Sequence, residues 1–309
     1  MSDVRHAIDD YLRLRRALGF KLRQHETALR DFARYLDRQG GPGMTTELAV
    51  AWATAPEHAH PYTWKRRLSI IRGFARYLQS LDPDTDVPSA DHLAARYQRP
   101  IPFIYTQDEI RALIRAAGEL TPEFRAITYQ TLLGLLASTG MRVGEALRLN
   151  RADVDAHAQH LTIRSTKFGK SRIVPLHATV MQALVAYGGR RGEYMTRWPI
   201  TDSFFVSIRG SRLLDPPVHR TFRRLVTGVG LSPRAGSGIP RIHDLRHSFT
   251  VATLRDWYAT GQPVASQLPL LSAYLGHVNP VSTYWYLQTD PTLLRLAIER
   301  AERIPTVRP

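Results

Sequence analysis

Two proline-bearing stretches, Asp82–Pro88 and Arg99-Pro100-Ile101-Pro102-Phe103, divide the chain into a shorter first part and a longer second part. Proline fixes φ, lacks the amide donor and pushes the residue before it out of the helical region, so no long helix runs through either stretch. The second stretch leads into Thr106-Gln107-Asp108-Glu109. This is a capping-box sequence, in which Thr106 accepts from the first turn and Glu109 reaches back to the cap. A new helix starts there, and with it a new domain. We expect a first domain over residues 1–98, a stiff linker over 99–105 and a second domain over 106–309. With 309 residues and 43% apolar content, each part has material for a core.

The first part reads as helices. Ala7, Leu12, Leu14 and Leu18 precede a stop at Gly19, and Thr27–Leu36 is a second apolar-periodic stretch. Over Tyr62–Leu81, the residues Trp64, Leu68, Ile71, Ala75 and Leu78 recur at helical steps and form one stripe. Lys65, Arg72 and Arg76 fall on a second face of that helix, which suits either solvent or a phosphate backbone. In the second part, Phe124–Ser138 reads as a buried helix, and Leu161–Ser165 and Arg172–Leu176 as two strands. The strands flank a glycine-bearing hairpin tip with Lys167 and Lys170. Phe204–Ser207 reads as a further short strand, and Pro291–Glu302 as a closing helix capped by Asp290. The fold class expected is mainly α with a small antiparallel sheet.

Lys and Arg total 42 against 27 Asp and Glu, a net charge of +15. An excess of this size favours a polyanionic partner, because neutralising phosphates releases counterions. The chain has no cysteine, which excludes disulfides, thiolate zinc sites and a cysteine nucleophile. No apolar run reaches membrane-spanning length, and a soluble, cytoplasmic and nucleoid-associated protein is expected.

Several residues carry chemistry suited to a phosphodiester. Cleavage by in-line displacement needs a nucleophile, charge complementary to the equatorial oxygens and a proton for the leaving oxygen. Arginine suits the second task, being always charged and offering a rigid donor fork. Arg142 follows Ser138-Thr139-Gly140 at the end of an apolar helix, where glycine turns the chain toward a cleft mouth. Glu145, three residues on, is placed to orient its guanidinium. His243 and Arg246, one helical turn apart, share a face, and histidine can donate to an oxygen or shuttle a proton. His243 and His247 mimic a helical zinc pair, but Asp244 stands where that motif needs Glu and Arg246 would face the metal. His247 is therefore expected to be structural, in packing or bonded to backbone. His277 follows Leu275-Gly276 at a helix end. Tyr274, Tyr284 and Tyr286 compete as nucleophile; Tyr274 sits on an apolar helix, while Tyr284 and Tyr286 point about 200° apart.

Taken together, Arg142-x-x-Glu145, a hairpin lysine, His243-x-x-Arg246, Leu275-Gly276-His277 and Tyr286 resemble the tyrosine recombinases, the phage-integrase and Xer-type family. The resemblance covers residues 104 to 309 with specific motifs and the first hundred residues only in size, helicity and charge. It implies that Tyr286, nine residues after His277, is the nucleophile. It also implies that Arg142, His243, Arg246 and His277 hold the phosphate, that Lys167 matches the acid better than Lys170, and that Lys170 contacts phosphates. Gln288 departs from the family pattern, where histidine is frequent. The implied architecture is a two-domain clamp on double-stranded DNA, with a core-binding domain followed by a catalytic domain. The implied reaction joins DNA through a 3′-phosphotyrosyl link and a Holliday junction, with no cofactor, metal or ATP. The implied assembly is a homotetramer on inverted-repeat half-sites, exchanging the helix at 291–303, with accessory recombinases as further partners and a mobile element as setting. A type IB topoisomerase and a catalytically silent DNA-binding protein remain the alternatives.

Overall fold

A computed structural model describes residues 2–40, 43–96, 100–164, 171–234, 236–276, 279, 283–286 and 290–302. Its contacts divide the chain into two compact units, Met1–Arg99 and Pro100–Pro309.

The first unit packs four helices, α1 (Ser2–Ala17), α2 (Arg23–Gln39), α3 (Thr46–Thr54) and α4 (Pro61–Gln79). Each presents apolar residues at three- and four-residue steps to one core. Ile8, Tyr11 and Leu12 come from α1, Leu29, Phe32, Ala33 and Leu36 from α2, and Leu68, Ile71, Phe74 and Ala75 from α4. Trp52 of α3 fills the centre, its ring 5.3 Å from Phe32 and its Nε1 donating to Asp31. Proline at the first position of α4 and the Thr45 hydroxyl capping α3 fix where these helices begin. The expected α4 stripe is shifted slightly, since Trp64 and Leu78 are half-buried while Ile70 and Phe74 are buried. On the second face Arg76 is exposed, Arg72 is half-buried, and the half-buried Lys65 donates to the Ala95 carbonyl at 3.0 Å.

The second unit is built around α6 (Glu123–Thr139), which packs against α5 (Gln107–Gly118), α8 (Ala178–Met195) and α10 (Asp244–Ala259). The Thr106–Glu109 capping box opens α5 with both reciprocal bonds in place. Short α7 (Val143–Arg148) follows α6 and leads to an antiparallel sheet, β1 (Val154–Asp155), β2 (His160–Ile163) and β3 (Arg172–Pro175), in the order β1-β2-β3. Leu161 pairs with Val174, and Leu161, Ile163 and Val174 point into the core. The hairpin tip with Lys167 and Lys170 lies outside the described residues. Helices α9 (Asp215–Gly228), α11 (Val264–Leu275) and α12 (Pro291–Glu302) complete the unit, with one helical turn at 283–286.

One expected strand is corrected, and one short strand was not foreseen. Phe204–Ser207 forms no strand; Ser203 and Val206 make only single bridges, to Asn150 and Arg212. Its three apolar residues are all buried, with Phe204 and Phe205 tilted against Tyr187 and edge-on to each other, so packing rather than a ladder explains the apolar run. Conversely β1, two residues long, is too short to show in the pattern. The closing helix α12 packs on α10 of its own chain through Leu293 and an ion pair between Arg255 and Asp290 at 2.6 Å. Asp290 also caps it, accepting from the Leu293 amide.

Candidate active site

Two helix ends create the site. Helix α6 stops at Gly140 (φ 59°) and α11 at Gly276 (φ 69°), both in the left-handed region that glycine enters at least cost. Space as well as conformation demands glycine here. A Cβ at Gly140 would meet Phe249 at 2.4 Å, and one at Gly276 would meet the Arg172 guanidinium at 2.6 Å. The chain reversals turn the last carbonyls of both helices toward α10.

Those carbonyls receive the arginines. Arg246 Nη1 donates to the Gly140 carbonyl and Nη2 to the Leu275 carbonyl, each at 2.9 Å, and Arg142 Nη2 donates to the Gly276 carbonyl at 3.0 Å. Helix C-termini carry partial negative charge, which makes them suitable seats for cations. Arg246 is only 2% exposed, so it needs such seats. Burial first, and then the nearby charge of Arg142, bring its guanidinium down to about 10.

Glu145 anchors the cluster. Its backbone position three residues after Arg142 lets the carboxylate accept from the Arg142 amide at 3.1 Å and from Arg142 Nη1 at 2.9 Å. Arg172, from β3, bonds both of its oxygens and donates through Nε to the Tyr274 carbonyl. Burial pulls the Glu145 carboxyl upward, but the hydrogen bond and charge of Arg172, joined by Arg142, outweigh it and hold the group at about 2. The carboxylate is therefore ionised throughout the neutral range. Arg172 escaped the sequence reading; its signal was a cation opening the strand that follows a lysine-bearing hairpin.

His243 stands exposed at the head of α10. The loop before it is fixed by Asp244, which is fully buried and accepts from the Arg241 amide and guanidinium. Burial raises the Asp244 carboxyl against the opposing pull of Arg241.

The tyrosines separate cleanly. Tyr284 is 46% exposed and Tyr286 is 1% exposed, a consequence of their two-residue step on one helical turn. Tyr274 is half-buried between two apolar clusters. His247 does more than pack: its Nδ1 lies 2.8 Å from the Tyr286 hydroxyl. Its ring stands 5.0 Å from that of His243 and 5.7 Å from Trp285. Arg142, Glu145, His243, Arg246 and Tyr286 thus converge, while Lys167, Lys170, His277 and Gln288 lie outside the described residues. Among the described residues no three His, Asp or Glu side chains are grouped to hold a metal, and no helix is long and apolar enough to cross a membrane. Outside the cluster, α9 exposes Arg220, Arg223 and Arg224 on one side, a basic face the sequence reading did not single out.

Comparison with known proteins agrees with this arrangement. Residues 104–292 match the Phage integrase family. The chain is 44% identical over 308 residues to a protein named integrase/recombinase y4rB of Sinorhizobium fredii, covering 98% of each. It is 28% identical over 262 residues to the tyrosine recombinase XerD of Mycobacterium tuberculosis, covering 84% of this chain and 76% of that one. Its fold is similar to that of a lambda integrase tetramer bound to a Holliday junction, with a TM-score of 0.63 at 19% identity over 92% of this chain and 76% of that one.

Proposed function

This chain belongs to the phage integrase family, the tyrosine recombinases, and from that premise we propose that it breaks and rejoins DNA through Tyr286. The observation that carries the reading is the charge of the site. Arg142 and Arg172 share the carboxylate of Glu145, and Arg246 is seated on the Gly140 and Leu275 carbonyl oxygens. Three guanidiniums against one carboxylate leave positive charge that a bound phosphodiester neutralises.

In the reaction, the Tyr286 oxygen attacks the scissile phosphorus, the bond to the 5′ oxygen breaks, and a 3′-phosphotyrosyl link forms. Arg142 and Arg246, with His243 and His277, hold the non-bridging oxygens, and Lys167 delivers the proton that the 5′ oxygen takes. Glu145 orients the Arg142 guanidinium through Nη1. The hydroxyl of a partner strand then reverses the step, and two rounds pass through a Holliday junction. The covalent link conserves the phosphodiester energy, so neither metal nor ATP enters.

The duplex is held by Lys65, Arg72 and Arg76 of the core-binding unit and by Lys170 and the arginine face of α9. Four protomers assemble on inverted-repeat half-sites, linked through α12, which presents Leu294 and Ile298 to solvent; accessory recombinases join where a site requires them. The setting is the cytoplasm, at the nucleoid, with a mobile element as the substrate. Nicked suicide duplexes tiled across the DNA flanking the gene test the reading. A covalent protein–DNA adduct that maps to Tyr286 supports it, and no adduct on any duplex refutes it.

A further inference from the structure

We propose that His247 is the general base of the strand-cleavage step, accepting the Tyr286 proton at Nδ1 and aiming the phenol while it does so. The inference rests on the assignment of Tyr286 as nucleophile. A phenol near pKa 10 is a poor nucleophile at neutral pH and needs an acceptor for its proton. The acceptor must stand within hydrogen-bond reach, and His247 Nδ1 does, at 2.8 Å.

The surroundings fit that task. His247 is 5% exposed, packed between the rings of His243, Trp285 and Tyr286, so its imidazole has a fixed direction and water has little access. With Nε2 carrying the proton, Nδ1 presents its lone pair to the hydroxyl. Among the described residues, the titratable and charged groups beside it include His243 and Arg246 on α10 and Tyr286 on the turn at 283–286. From α12, packed on the same helix, Asp290 pairs with Arg255 about two turns further along. Arg246 precedes His247 in sequence and is an electrostatic neighbour of Tyr286, so a phosphate seated on Arg246 lies beside the phenol. His243, exposed at the helix head, is left to face the phosphate oxygens, and the two histidines divide the work.

The step balances. The O–H pair stays on oxygen as the proton moves to Nδ1, the phenolate oxygen forms the bond to phosphorus, and the pair of the breaking P–O bond leaves on the 5′ oxygen. His247 becomes an imidazolium, stabilised while the anionic phosphate is present. In the reverse step it returns the proton to the tyrosine oxygen.

The test uses single-turnover adduct formation by the full chain on the nicked suicide duplexes. Asparagine places Oδ1 near the position of Nδ1, so His247→Asn keeps an acceptor for the hydroxyl but cannot take its proton. The expected result is normal DNA binding, cleavage slower by on the order of 10²-fold or more, and loss of the rise in rate with pH that a neutral histidine gives wild type. Incorporating 2,3-difluorotyrosine at position 286, a more acidic phenol, should recover most of that loss. His247→Gln provides a second variant should His247→Asn fail to bind DNA. Wild-type rate and pH profile in either folded variant overturns the proposal, as does a loss that the fluorinated phenol leaves unrelieved, which marks a packing role. If wild type itself gives no Tyr286 adduct, the proposed function falls with it; a Tyr286 adduct formed equally by the variants removes only His247.

Discussion

Arg172 closes on Glu145 with both terminal nitrogens, Nη1 to Oε1 at 3.1 Å and Nη2 to Oε2 at 2.8 Å. This two-point grip leaves the carboxylate one further strong partner, Arg142, and so ties β3, α7 and the turn at Gly276 into one unit. Breaking one member leaves a buried charge without its partner, which costs far more than an exposed pair of the same residues.

Glu145 accordingly makes stability depend on acid. A carboxyl whose folded value is held down to about 2 stabilises the fold fully above its unfolded value, near 4.5, and loses that contribution as the pH falls through about 2. Glu145→Gln removes the titration. The difference in denaturant midpoint between wild type and Glu145→Gln should be largest at neutral pH and shrink between pH 5 and pH 3. A difference that stays constant with pH contradicts the assignment.

Tyr286→Phe deletes one oxygen from a ring that remains buried. It should bind DNA as wild type does and form no covalent adduct, while Tyr284→Phe should cleave normally. Denaturing gels of the trapped complexes decide, and the opposite pattern would move the nucleophile to Tyr284.

Arg142→Ala and Arg246→Ala should each slow cleavage by on the order of 10²-fold or more, as when one preorganised donor is lost. Duplex affinity should fall much less, because many other cations hold the backbone. Arg246→Ala should also lower the melting temperature more than Arg142→Ala, since the Gly140 and Leu275 carbonyls lose a buried donor. Near-normal cleavage by either variant removes that arginine from the site.

Lys167→Ala should be slow on ordinary DNA and recover on a duplex whose scissile 5′ bridging oxygen is sulfur, because a thiolate leaves without a proton. Sulfur should not rescue Arg142→Ala, whose defect is charge in the transition state. Rescue of Lys170→Ala instead would exchange the roles of the two hairpin lysines.

Cleavage by arginine charge and a tyrosine oxygen should persist in excess EDTA. Activity lost on chelation and restored by a divalent metal would overturn that chemistry.

The sequence by itself determined the element types, where a local signal was strong. The Thr106–Glu109 box, the glycines ending α6 and α11, and most of the α4 stripe were legible, because caps and periodicity act within a few residues. In α1 the stripe was misread, since Leu14 and Leu18 are exposed and Ile8 and Tyr11 join Leu12 in the core. The pairing of Arg142 with Glu145 was legible for the same reason, being a contact three residues apart. Phe204–Val206 misled, since an apolar run reports burial and not the ladder that would make it a strand. Only the tertiary structure decided that Arg172 reaches Glu145, that Arg246 rests on two helix ends, and that His247 meets Tyr286. These partners lie 27 to 106 residues apart in sequence, where no periodicity carries information and only the packing of α6, α10 and α11 brings the atoms together.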